Sequence, residues 1–351
     1  MSSNKILVIG GGPAGLEAAR SVAELGGEVI LLEKRERLGG TPDRENYAKL
    51  THHWRDASEA MAELAASVTS SARVEVKYNA EVKGMSGSAG NFNVEIEAGG
   101  VAEFLNVGAV IVATGFQHFD PGRATQQYNY YTFPDVVTLT DLEKMLKDHH
   151  VVRPSNGEAP KKIAFIQCVG SRDRRIGNEY CSKVCCGIAS KQAIELRELL
   201  PDSKVMIFYI DMRMYGYWEN EIYWPAQEKY KVNYVKGVIS EVLKKGDQLL
   251  IRGEDTTMGR PMEVTMDMVV LSIGMEPSAG TRAIAQTLGV KQNKYGFIEA
   301  GGEGGLDTVA TSAPGVFVAG AAAGPADLND SISMAGLAAA RAVAAAQKVA
   351  A

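Results

Sequence analysis

All four cysteines of this 351-residue chain, Cys168, Cys181, Cys185 and Cys186, fall within one short stretch. Thiolates are soft ligands that select zinc or iron–sulfur clusters. Structural zinc sites use paired C-x₂₋₄-C knuckles, and no C-x-x-C occurs here. Adjacent Cys185 and Cys186 suit a cubane, whose corners lie farther apart than ligands on one ion. A Cys185–Cys186 disulfide would leave Cys168 and Cys181 idle, and buried free thiols are the bland alternative. The pattern predicts a helix over 178–200, with Cys181 and Cys185 on one face and Cys186 turned about 100° away. Cys168 would come from the loop before it. Free N–H groups and the dipole of the first turn stabilise thiolate. Arg172, Arg174, Arg175 and Lys183 either offset the charge of four thiolates or stay as solvated surface. A secreted disulfide framework would spread its cysteines along the chain, so a cytoplasmic metal or redox site is expected.

A second constellation lies near the start. Gly10-Gly11-Gly12-Pro13-Ala14-Gly15 fits G-x-G-x-x-G between an apolar strand, Ile6–Ile9, and a helical stretch reaching Leu25. Gly10 permits the turn, Gly12 lets the backbone approach a pyrophosphate, and Gly15 lets the helix pack on the strand. The pyrophosphate then meets the helix N-terminus. Glu33 ends the next strand, Glu28–Leu32, where a carboxylate can take a ribose hydroxyl. A bare packing turn would leave Glu33 unexplained.

The elements that position these groups are written twice. KIAFIQ (162–167) overlays KILVIG (5–10), and VMIFYI (205–210) takes the place of the second strand. Strands at Val74–Val76, Phe92–Ile96, Phe104–Asn106 and Ala109–Ala113 are answered by Val232–Ile239, Leu249–Arg252, Glu263–Thr265 and Met268–Ser272. The overlay sets Gly10, Gly12 and Gly15 against Gln167, Val169 and Arg172, so the second pyrophosphate cradle is erased and NAD(P)H is not expected there. The expected organisation is a discontinuous domain, 1–150 with 265–351, and an inserted domain, 151–264. The aromatic connection Tyr128–Phe133 and the polar stretch Arg153–Pro160 mark the crossing.

Other chemistries find little footing. A net charge of -5 supplies no basic surface for nucleic acid. No apolar run approaches the roughly 20 residues of a membrane span, and Ile6–Ile9 is too short for a signal-peptide core. His52, His53, His118, His149 and His150 show no i, i+4 metal spacing. Tyr215, Tyr217, Trp218, Tyr223 and Trp224 form an aromatic patch that is either core or docking surface.

Three further motifs carry a resemblance. Ala113-Thr114-Gly115 at a strand end, GVFVAGAAAG (315–324) and Leu38-Gly39-Gly40 resemble elements of two-dinucleotide-binding-domain flavoproteins such as thioredoxin reductase. That implies an α/β fold with a Rossmann-type FAD domain and an inserted related domain. It places Pro13, Ala14, Lys34, Gly39, Gly40, Val82, Ala113, Thr114, Gly115 and Gly320 near FAD. Ala321 stands where an aspartate usually contacts the ribityl chain, and Asp327 or Asn329 is expected to replace it. The alanine-rich helix starting about Ser331 would point its N-terminus at the flavin.

The string C-V-G-S-R…Y-C-S-x-V-C-C, with AGAAAGPADLNDSISMA (319–335), resembles the A subunit of heterodisulfide reductases. The resemblance makes Cys168, Cys181, Cys185 and Cys186 ligands of a [4Fe–4S] cluster and puts Lys191 near the flavin as a catalytic residue. Lacking further cysteines, the chain looks like the short, core-only form found in heterodisulfide-reductase-like complexes of sulfur oxidisers. What this implies is a cytoplasmic electron-transfer subunit, homodimeric, serving B- and C-like partner subunits. A free-standing NAD(P)H-dependent flavin reductase and a zinc-stabilised scaffold are the alternatives.

Overall fold

The computed structural model describes residues 4–123, 127–302 and 305–348. The chain forms two compact units, Met1–Arg44 with Asp56–Gln117 and Glu276–Ala351, and Glu45–Arg55 with His118–Met275. The crossings at 117/118 and 275/276 pass through short strands, Phe116–His118 and Met275–Pro277.

The first unit is built on a parallel sheet in the order Val316–Val318, Ala109–Val112, Lys5–Ile9, Glu28–Leu32, Val74–Lys77. Its central strands are apolar at nearly every position because both faces are covered. Ile6 and Val8 pack against Leu16, Ala19 and Val22 of helix Pro13–Glu24 and Ala338 and Ala342 of helix Leu328–Lys348. Leu7 and Ile9 face Phe92, Val94 and Ile96 of an antiparallel sheet made by Ala80–Ser88, Asn91–Ala98 and Val101–Val107. The C-terminal segment returns to this unit, supplying an edge strand and a packing helix.

The second unit repeats the scheme. Its sheet runs Val136–Thr138, Met268–Ile273, Lys162–Val169, Lys204–Tyr209, Asn233–Lys245, and the last strand continues antiparallel into Gln248–Asp255 and Arg260–Met266. Lys162–Val169 lies between its parallel neighbours as Lys5–Ile9 does in the first unit. Ile163 and Phe165 face helix Cys185–Leu199, while Ala164 and Ile166 face the opposite core.

The first crossing lies at 117/118, before the expected 150/151, and the second at 275/276, beyond the expected 264/265. Val136–Thr138 pairs with Val269–Leu271 and leads into helix Leu139–Lys147, started by a Thr138/Asp141 capping box. Tyr128 and Phe133 pack on the core of the second unit. Arg153 is buried against Asp135 at 3.1 Å and reaches Asp247 at 2.8 Å. Both expected crossing markers therefore lie within that unit.

Candidate functional site

In the first unit the glycine turn is forced by contacts a side chain could not make. Gly10 has φ +111°, and a Cβ there would lie 2.4 Å from Ala113 O; one on Gly15 would lie 1.7 Å from Gly10 O. Gly12 differs, since its nearest neighbour would be Gly40 Cα at 3.5 Å. Room is thus left at the position where a phosphate would approach. Pro13 occupies the first turn of the helix, where its missing N–H costs nothing. Ala14 packs beside Gly320 of the third motif, where an added Cβ would lie 2.8 Å from Ala14 Cβ.

Around this turn the other expected residues gather. Gly39 N–H donates to Gly11 O at 2.8 Å, and a Cβ on Gly40 would lie 2.6 Å from Gly12 Cα. Glu33 is buried, its carboxylate accepting the N–H groups of Gly11 and Arg35, both at 2.8 Å. Ala113 closes the turn from the next strand. Thr114 Oγ1 shares a 2.8 Å hydrogen bond with Thr281 Oγ1, which also donates to Gly115 O. Sequence reasoning misses Thr281, although Ser278-x-x-Thr281 is a readable helix start, with Ser278 accepting from Thr281 N–H. Val82 is half-buried on the antiparallel sheet, and Lys34 is exposed and paired with Glu81 at 2.6 Å. Ala321 is buried in a 3₁₀ turn. Asp327 accepts from Asp330 N–H at 2.8 Å at the start of helix Leu328–Lys348, so its side chain is engaged in a cap.

In the second unit the corresponding junction is rebuilt. Ile166 pairs with Leu271 but Val169 pairs with Ile273, so one extra residue is accommodated as a β-bulge. Cys168 sits in it with φ +62°. The helix does not begin at 178 as the pattern predicts. It begins at Cys185, because the preceding loop is held open by Arg172 N–H to Tyr180 O at 2.8 Å, an Asp173–Asn178 bridge, and Lys183 at φ +64°. Cys181 is therefore a loop residue, and Cys185 and Cys186 occupy the first helical turn.

The four sulfurs are free thiols and converge. Burial pushes the Cys168 thiol up to about 11, with Cys186 and Cys181 adding to the shift and Arg172 opposing it. Burial likewise raises Cys185, assisted by Cys168, Cys186 and Cys181. Cys186 is raised by burial, opposed by the Arg213 N–H and assisted by Cys181. Every pair among the four is thus within electrostatic reach. Lys183 N–H donates to Cys181 Sγ at 3.3 Å, and Cys185 Sγ reaches Ile273 O at 3.7 Å. Arg172 pairs with Asp211 and lies beside Cys168. Arg174 is exposed, and Arg175 pairs with Asp173 at 2.7 Å. Among the described residues no three His, Cys, Asp or Glu side chains are arranged to hold one metal ion.

Lys191 is fully buried within this unit. Its ammonium contacts Glu143 at 2.5 Å, Glu195 at 3.0 Å and Lys49 O at 3.0 Å. Gln192 also donates to Glu143. The lysine is thus committed to the interior of the thiol-bearing unit. Trp218 packs on this core and against Gly187, while Tyr215 and Trp224 are exposed.

Residues 4–347 match the family model described as pyridine nucleotide-disulphide oxidoreductase. The chain belongs to that family. It is an FAD-dependent electron-transfer oxidoreductase with a two-domain, Rossmann-type α/β flavoprotein fold. Its sequence is 32% identical to the A subunit of the H(2):CoB-CoM heterodisulfide,ferredoxin reductase of Methanothermobacter marburgensis, over 97% of this chain and 63% of that protein. It is 30% identical to the iron-sulfur A subunit of the CoB–CoM heterodisulfide reductase of Methanocaldococcus jannaschii, over 94% of this chain and 62% of that one. The chain thus spans less than two thirds of these relatives, and the likeness to A subunits holds over nearly all its own length. In fold it is similar to thioredoxin reductase of T. acidophilum, with TM-score 0.65, 18% identity and coverage of 97% and 99%. No helix among the described residues is long and apolar enough to cross a membrane.

Proposed function

We propose that this chain is an electron-transfer subunit of a heterodisulfide-reductase-like complex, carrying FAD in the first unit and one [4Fe–4S] cluster in the second. It would serve B- and C-like partners in thiol–disulfide or sulfur oxidation chemistry, as a cytoplasmic homodimer. The observation that carries this reading is the convergence of four thiols where the second pyrophosphate turn has been lost. Cys168, Cys185 and Cys186, raised by burial first and by neighbouring thiols second, fit a group that takes thiols as thiolates. Cysteines adjacent in the chain, joined by one from a bulge and one from a loop, suit the wide corners of a cubane better than the knuckles of a zinc site.

The residues divide the work. The first turn of helix Pro13–Glu24 offers its N–H groups to a pyrophosphate, Gly12 leaves room for it, and Glu33 orders the turn beside a ribose. Cys168, Cys181, Cys185 and Cys186 would hold the cluster, and Arg172 offsets its charge. Bound there, FAD supplies two-electron exchange and the cluster single-electron steps, which suits a relay between unlike partners. Anaerobic protein assayed for flavin, iron and sulfide tests this. About one flavin and about four irons per chain are expected. Iron near zero overturns the cluster, and zinc in its place would favour a scaffold. Rapid stoichiometric flavin reduction by NADPH would favour a free-standing reductase.

A further inference from the structure

Two polar side chains at the strand ends of the second unit have no hydrogen-bond partner among the described residues. Gln167 is 6% exposed, with neither amide atom hydrogen-bonded, and the fully buried Ser272 hydroxyl is likewise unpartnered. Burying such groups bare is costly. They are neighbours by register, since each follows one member of the Ile166–Leu271 pair. Ser272, on the unbulged strand, lies by alternation on the face of Val270, and Gln167 opens the bulge two residues after Phe165. Phe165 and Val270 share a core with Cys186, Ala189 and Ala193. The residue after Ser272 is Ile273, whose carbonyl Cys185 Sγ reaches, and the residue after Gln167 is Cys168. In the first unit the matching positions are Gly10, where no side chain fits, and the apolar Ala113. The two polar groups are therefore particular to the thiol-bearing junction.

We propose that the Gln167 amide and the Ser272 hydroxyl donate hydrogen bonds to sulfur of the cluster held by the four cysteines and so raise its reduction potential. This rests on the cluster assignment above. Donors to cluster sulfur stabilise the extra negative charge of the reduced state. They do so here without adding charge, which Arg172 already supplies.

The test is a redox titration of the anaerobic full-length protein, following the reduced-cluster EPR signal in wild type, Gln167→Leu, Ser272→Ala and Ser272→Thr. Gln167→Leu and Ser272→Ala should keep wild-type iron and sulfide while holding the electron about tenfold less strongly, ~59 mV lower for a one-electron couple. Ser272→Thr, which keeps the hydroxyl, should stay near wild type. Loaded variants titrating at the wild-type potential would overturn the proposal and leave an ordered water as the groups' partner. If a variant fails to load, wild type labelled with ¹⁵N at the glutamine amide decides. A ¹⁵N coupling in the pulsed EPR of the reduced cluster upholds the proposal, and its absence overturns it. Wild type without iron would instead sink the cluster assignment and this role with it.

Discussion

The two strand-to-helix junctions start from the same sheet position and end in opposite chemistry. In the first, Ile9 leads through three glycines into a helix at Pro13, so the helix N-terminus meets whatever lies over the turn. In the second, a bulge extends the strand to Val169 and the helix waits until Cys185. The intervening loop brings thiols, not open backbone, to that helix start. Strand order and core packing are shared, whereas the connection has been rewritten. Function lives in that connection.

The comparison breaks most visibly if the cofactors proposed for its two junctions are lost together. Gly15→Val should weaken flavin retention more than tenfold, because its side chain collides with Gly10 O, while iron stays bound; flavin and metal analysis of one sample reads both. Cys181→Ser and Cys185→Ser should do the reverse, cutting iron severalfold with flavin retained. Loss of both cofactors in any of these three variants would show that the junctions are not independent.

A smaller effect concerns Lys191. Lys191→Met leaves the Glu143 and Glu195 carboxylates buried without their cation and should cost about 3–5 kcal/mol by chemical denaturation. Burial pushes the ammonium's pKa down, but Glu143 and Glu195 outweigh it and hold it above the ordinary value. Its contribution is therefore complete below about pH 10.4 and is lost as pH rises through the higher folded value. Wild type and variant should converge only in strong alkali; a constant gap would assign the lysine to packing. Smallest is Asp327→Ala, about 1 kcal/mol from the lost cap, with Asp327→Asn largely restoring it.

The sheet scaffold is legible in the sequence because apolar runs of strand length occur twice in the same order. Gly10, Gly12, Gly15 and Glu33 are legible because their types and spacing form one strand–turn–helix–strand pattern. The helix start at Cys185 is not, since residues 178–184 carry helical spacing but Asn178 and Tyr180 are tied to Asp173 and Arg172, partners no periodicity reveals. Val136–Thr138 escapes notice because three residues give no alternation to read. Lys191 stands out one turn beyond the cysteines, but its partner Glu143 lies far off in sequence and meets it only when helices Leu139–Lys147 and Cys185–Leu199 pack together.

The excursion of residues 45–55 has a practical consequence. Ala48 N–H donates to Glu143 at 3.0 Å and Lys49 O receives the Lys191 ammonium, so a peptide from upstream seals the charged interior of the thiol-bearing unit. A truncation that begins at 118 would be born with that seam open. Any minimal carrier engineered from this half must graft the eleven-residue strap back on.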